Sequence, residues 1–230
     1  MDYFDNDDTS NTMDVCLKEA EDMLAWGQNS ILQGLFTDNL RNNLSAMELC
    51  SNSTLHRGYF HPSPIYDLVV GNTKRGSLKP LNSHSPITHR YWVDNNGRLS
   101  LIESITTTRI SHTEKLFFED NEIIGVTVDC NGHLSAVSKE RYDGARIAYF
   151  ALMNCAFGGE AYKCFNFHSE QYTHDSLGLS ECDFINVSPL NHTIVRKRYA
   201  FERQNGFLIS YRDLSSPKQV KYTITKKRKA

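Results

Sequence analysis

The sequence predicts an α+β fold in which an N-terminal helical pair packs on a large twisted antiparallel β-meander. Apolar residues recur at three- and four-residue spacing before about residue 44, alternate with polar residues from Tyr91 onward, and are punctuated there by Asn-Gly and Asp-Gly dipeptides. Hairpins join antiparallel strands, whereas a parallel sheet needs long helical crossovers that this pattern lacks.

The helical region begins with Met13, Cys16, Ala20, Met23 and Leu24 and continues with Ile31, Leu32, Leu35, Phe36 and Leu40. Gly27 is expected to divide it into two helices. Asp8, Thr9 and Ser10 offer N-cap oxygens, and Asp14, Glu19, Glu21 and Asp22 bring negative charge toward the positive end of the helix dipole. The apolar stripe is the face expected to dock on the sheet.

Residues 51–90 contain Pro62, Pro64, Pro80 and Pro86 together with Gly58, Gly71 and Gly76, the composition of a connection. Within it, Ile65 to Gly71 has strand composition. Strand-like runs then follow at Tyr91–Val93, Leu99–Ser104, Lys115–Phe118, Ile123–Val128, Leu134–Ser138, Arg146–Met153, Tyr162–Phe167, Thr193–Phe201, Phe207–Tyr211 and Val220–Thr225. The organisation is therefore a helical segment over 1–50, a Pro/Gly-rich connection with one strand over 51–90, a meander over 91–225 and a basic tail over 226–230, in one domain.

With 230 residues, 40% apolar and 23% charged, the chain can bury a sizeable core, which excludes wholesale disorder and a disulfide miniprotein. Its six scattered cysteines contain no CxxC pair, and its acidic start, MDYFDNDD, does not read as a secretory leader. With no apolar run long enough for a membrane span, these features predict a cytoplasmic protein with reduced thiols and no membrane association. Net charge is −2 but uneven: residues 1–23 hold eight acids, and the last fourteen residues hold six basic groups and no acid.

Two hairpins repeat a motif. Val93-Asp94-Asn95-Asn96-Gly97-Arg98-Leu99-Ser100 and Val128-Asp129-Cys130-Asn131-Gly132-His133-Leu134-Ser135 share V-D-x-N-G-x-L-S, and Glu202 to Leu208 keeps an acid, Asn-Gly and Leu with one residue inserted. The D-x-x-G-R-L core resembles the YD or RHS repeat. Residues 58–211 loosely resemble small immunity proteins associated with bacterial polymorphic toxins, with Val93 and Val128 standing where the repeat has Tyr. That resemblance implies a β-meander that binds a protein and carries no catalytic residues.

Cys164, His168, His174 and Cys182 offer two thiols and two imidazoles, a ligand set that suits tetrahedral zinc, although their spacing is not that of a standard finger. Buried thiols and surface histidines are the simpler reading, so neither metal nor cofactor is expected. Cys164, His168 and Asp175 could compose a nucleophilic set without any local hydrolase signature. Phosphate-cradling and metalloprotease motifs are absent.

Late in the meander, Arg196, Arg198, Tyr199, Tyr211 and Arg212 cluster in sequence as candidate partner-binding residues. The leading expectation is a non-catalytic protein-binding module, an immunity protein that neutralises a toxin domain by occluding its active site. A metal- or thiol-dependent enzyme using Cys164, His168, His174 and Cys182 is the alternative, and a nucleic-acid binder using the basic strand ranks third.

Overall fold

The computed structural model describes residues 6–36, 40–70, 73–107, 109–159 and 161–229. Thirteen strands build one sheet: β1 (Ser45–Ser51), β2 (Ser77–Lys79), β3 (His89–Val93), β4 (Leu99–Thr106), β5 (Arg109–Glu119), β6 (Glu122–Asp129), β7 (Leu134–Asp143), β8 (Arg146–Phe157), β9 (Tyr162–Asp175), β10 (Gly178–Ser188), β11 (Thr193–Gln204), β12 (Phe207–Asp213) and β13 (Lys221–Lys229). From β3 to β13 each strand pairs antiparallel with its sequence neighbours, while β1 lies between β3 and β2 at the opposite end. The expected antiparallel meander is present. Among the described residues there are two α-helices, α1 (Asn6–Leu32) and the single turn α2 (Tyr66–Val69), so the fold is more strand-rich than an α+β description implies.

Several elements differ from the sequence reading. α1 runs unbroken through Gly27, because the missing side chain there serves packing rather than a break: a Cβ would come within 2.6 Å of Val137 and 3.1 Å of Leu134. Asp8, Thr9 and Ser10 lie inside the helix rather than at its cap. Chain expected to be helical up to residue 50 includes β1, which pairs with β3.

Ile65 to Gly71, read as a strand, contains the helical turn α2, with Gly71 outside the described residues. The local cause is Ser63, whose Oγ accepts the amide protons of Ile65 and Tyr66 and starts the turn. Residues 226–229, read as a tail, continue β13, while Ala230 lies outside the described residues. β10 falls between Phe167 and Thr193, where the sequence suggested no strand.

The sheet is covered on both faces. On one, α1 sets Cys16, Ala20 and Met23 against Val126, Val137, Ala151, Met153 and Phe167, and Trp26 meets Phe117 edge-on at 5.1 Å. On the other, residues 52–70 form a strap: a 3-10 turn at Gly58–Phe60 leads to α2, and the fully buried Ile65 joins Phe150, Tyr172, Phe184 and Tyr199. The strap closes this apolar surface. Among the described residues no helix is long and apolar enough to cross a membrane.

Candidate functional site

Beneath the strap lies a buried polar seam that the sequence reading missed. Cross-strand register puts Glu114 of β5, Ser138 and Glu140 of β7, and His168, Glu170 and Tyr172 of β9 on the strap face. Arg57 reaches into it from above: Nε donates to Glu114 Oε1 at 2.8 Å, Nη1 to Glu140 Oε1, and Nη2 to Ser138 Oγ at 2.6 Å. Tyr142 donates to the other oxygen of Glu140 at 2.5 Å. Burial works against the charge on Arg57, but the two carboxylates outweigh it and hold the guanidinium above its ordinary pKa. For Glu114, burial pushes upward while Arg57 and His56 pull harder, leaving it below the usual carboxylate value.

A second knot secures the far end of the strap. Ser63 donates to Glu170 Oε2 at 2.6 Å, the Tyr172 hydroxyl donates to the same oxygen, and His168 Nε2 lies 2.6 Å from Oε1. Arg57, Ser63, Glu114, Ser138, Glu140, His168 and Glu170 are each no more than 2% exposed. Ser63 already caps α2, and no reactant has access to its hydroxyl, so this arrangement anchors the strap rather than forming a reaction centre.

The candidate metal and nucleophile sets, which were the alternative to the leading expectation, are dispersed. Phe165 is an extra residue in the β8–β9 ladder, which places Cys164 on the helix face with Cys155 while His168 lies on the strap face against Phe184. His168 and His174 are six positions apart on β9, about 20 Å at strand rise. Cys182 lies opposite Tyr172, a further site along the same face. Among the described residues no group of three or more His, Cys, Asp or Glu side chains is arranged to hold a metal ion. The Cys164, His168 and Asp175 set is separated in the same way, with Asp175 at the end of β9 bound to Arg203.

The five candidate partner-binding residues divide between the two faces. Tyr199 is 2% exposed beneath the strap, and Tyr211, half-buried, donates its hydroxyl to Leu68 of α2 at 2.9 Å. Both tyrosines therefore hold the strap. Arg196, Arg198 and Arg212 share the opposite face and all three are exposed, with Arg196 lying across from Ile185, which packs in the cluster under α1, and near enough to Cys16 to bear on its thiol.

This outer face of β9 to β13 is a ladder of mixed charge. Thr173, Glu181, Ala200, Arg212 and Lys221 follow one another across five strands. Arg198 bridges to Glu181 at 2.5 Å, and Glu202 takes Arg212 at 2.7 Å and Lys221 at 2.5 Å. Hydrogen bonds from Lys221, Arg212 and Ser210 hold Glu202 down to about 2. Among the described residues of this face, acids are interleaved with the arginines, so the charge there is of mixed sign.

The repeated hairpin motif has a structural counterpart. Asp94 Oδ1 accepts the amide protons of Asn96 and Arg98, and Asp129 Oδ1 accepts those of Asn131 and His133, each at 2.8–2.9 Å. In both turns the glycine amide donates to the aspartate carbonyl. The third copy differs: Asn205 and Gly206 both take positive φ in a tighter turn, and Glu202 pairs across strands instead of capping the turn. No family model and no curated protein matches the chain.

Proposed function

We propose that the protein is a non-catalytic protein-binding module of the immunity type, which neutralises a bacterial toxin by covering its active site. The observation that carries this reading is the face of β10 to β12 opposite the strap, where Arg196, Arg198 and Arg212 stand exposed among Glu181, Asp183 and Glu202. Such a surface offers two-sided charge complementarity, which favours a protein partner and sets association rate and orientation. Sealing of the strap-face seam and separation of Cys164, His168, His174 and Cys182 further support binding over chemistry. The toxin as partner is drawn from the resemblance of the hairpins alone.

The test is affinity capture from the source cell with the wild type beside an Arg196→Glu/Arg198→Glu/Arg212→Glu variant. A single protein held by the wild type, released by the variant at equal melting temperature and losing its own toxic activity when bound, is the expected result. Absence of any partner sensitive to these arginines, together with a turnover abolished by Cys164→Ala, overturns the reading in favour of an enzyme.

A further inference from the structure

Cys155 of β8 and Cys164 of β9 are direct cross-strand partners. The register runs from Asn154 opposite Asn166 to Cys155 opposite Cys164, so the bulge at Phe165 brings the second thiol onto the face that the first already occupies. Directly opposed residues of an antiparallel pair have Cα atoms about 4.5 or 5.5 Å apart, and a disulfide accepts roughly 4.4–6.8 Å, so either kind of pair satisfies it. Each sulfur holds only a weak hydrogen bond to a carbonyl, Cys155 to Leu134 at 3.6 Å and Cys164 to Asn166 at 3.5 Å. No other two cysteines are paired in register: Cys16 lies on α1, Cys50 on β1, Cys130 in the β6–β7 turn and Cys182 opposite Tyr172 and Tyr199.

We infer that Cys155 and Cys164 are a redox-sensitive pair that closes to a cross-strand disulfide on meeting a low-molecular-weight disulfide such as oxidised glutathione. Cys164 is the more exposed, and its thiolate attacks one sulfur of the oxidant, breaking the S–S bond and expelling a glutathione thiolate. The Cys155 thiolate then attacks the Cys164 sulfur of the mixed disulfide and expels the second. Two protein thiols are oxidised, one oxidant disulfide is reduced to two thiols, and the protons leaving the cysteines end on glutathione. Burial raises both thiols, Cys155 to about 12, which makes closure slow near neutrality and faster at mildly alkaline pH.

The bond would staple the β8–β9 hairpin just below its aromatic end, where Phe157 stacks on His133 at 5.6 Å and meets Tyr162 at 5.1 Å. To test the inference, folded wild-type protein is incubated with oxidised glutathione at mildly alkaline pH, alkylated, digested and mapped by mass spectrometry. The expected product is a peptide cross-linked between Cys155 and Cys164, reversed by dithiothreitol, formed equally by Cys130→Ser and absent from Cys164→Ser. Recovery of Cys164 as a stable glutathione adduct with Cys155 still free to alkylate overturns the inference. So does alkylation of both after Cys130 has fully reacted. Because the decisive readout is made on the wild type, loss of fold in a variant cannot mimic either result.

Discussion

The guanidinium of Arg57 occupies the space that a side chain at Gly125 would fill. A Cβ built on Gly125 would lie 2.5 Å from Arg57 Nη2 and closer still to Glu114 Oε1 and Ser138 Oγ. These are the far ends of long side chains, which would swing aside on a surface. Here each is held by a buried partner, so displacement breaks ion pairs out of reach of water. Gly125→Ala is therefore expected to cost about 3 kcal/mol despite an ordinary backbone conformation, measured as a lowered urea midpoint. A midpoint within experimental error of the wild type would show that the seam can relax.

Removing one partner should be far worse than removing the whole cluster. Arg57→Met leaves the Glu114 and Glu140 carboxyl groups buried without their cation and should destabilise by ~3–5 kcal/mol. Adding Glu114→Gln and Glu140→Gln should recover more than half of that loss in chemical denaturation. Failure to recover would mean that the strap depends on the charges themselves.

Stability should fall with acidification well before the carboxylates titrate. His56, His61 and His89 are each pushed below the ordinary imidazole value of 6.5, burial being the largest cause. The unfolded chain then takes up protons at higher pH than the folded one, so the stabilisation is complete above pH 6.5 and is lost as pH falls below it. For His89, held down to about 4, the loss continues to that pH and amounts to roughly 3 kcal/mol. Glu114, also depressed, adds a loss below its ordinary value of 4.5. Urea midpoints from neutrality to pH 4 should decline steadily, and His89→Asn should flatten part of that slope.

Gly97 and Gly132 have φ of 75° and 82°, and a Cβ at either would touch nothing within 4 Å. The penalty for a side chain is thus purely conformational. Replacement of either by Val should cost roughly 1 kcal/mol or more, and replacement by Asn, which tolerates the left-handed region, distinctly less. Equal stability of the Val and Asn variants in thermal melts would refute this account.

Most of the sheet was legible because turn chemistry is local. Asp94 with Gly97 and Asp129 with Gly132 announce their hairpins from a few adjacent residues. β10 was harder: Cys182 and Phe184 alternate with Glu181 and Asp183 as a half-buried strand should, but acids carry low strand propensity and obscured the pattern. Gly27 misled because a glycine inside a helix reads the same whether it breaks the helix or lets it approach a sheet. The strap seam was hidden for a different reason. Arg57 lies 57 residues from Glu114 and 83 from Glu140, so only the assembled register brings them together. No local signal flagged them: Glu114 stands between Thr113 and Lys115, Glu140 between Lys139 and Arg141, and Glu170 between Ser169 and Gln171, polar surroundings that read as solvent-facing.

The strand order also imposes a timetable on a growing chain. From β3 onward each strand can pair with the one just made, so the sheet can extend one hairpin at a time as it emerges from the ribosome. The strap is synthesised early, and Arg57 finds Glu114 and Glu140 as their strands emerge, but its far end has nothing to grip until later still: Ser63 waits 107 residues for Glu170. Until then the apolar surface destined to lie under Ile65 stands open, and a ribosome paused between Tyr142 and Glu170 would hold that end of the nascent sheet in its most aggregation-prone form.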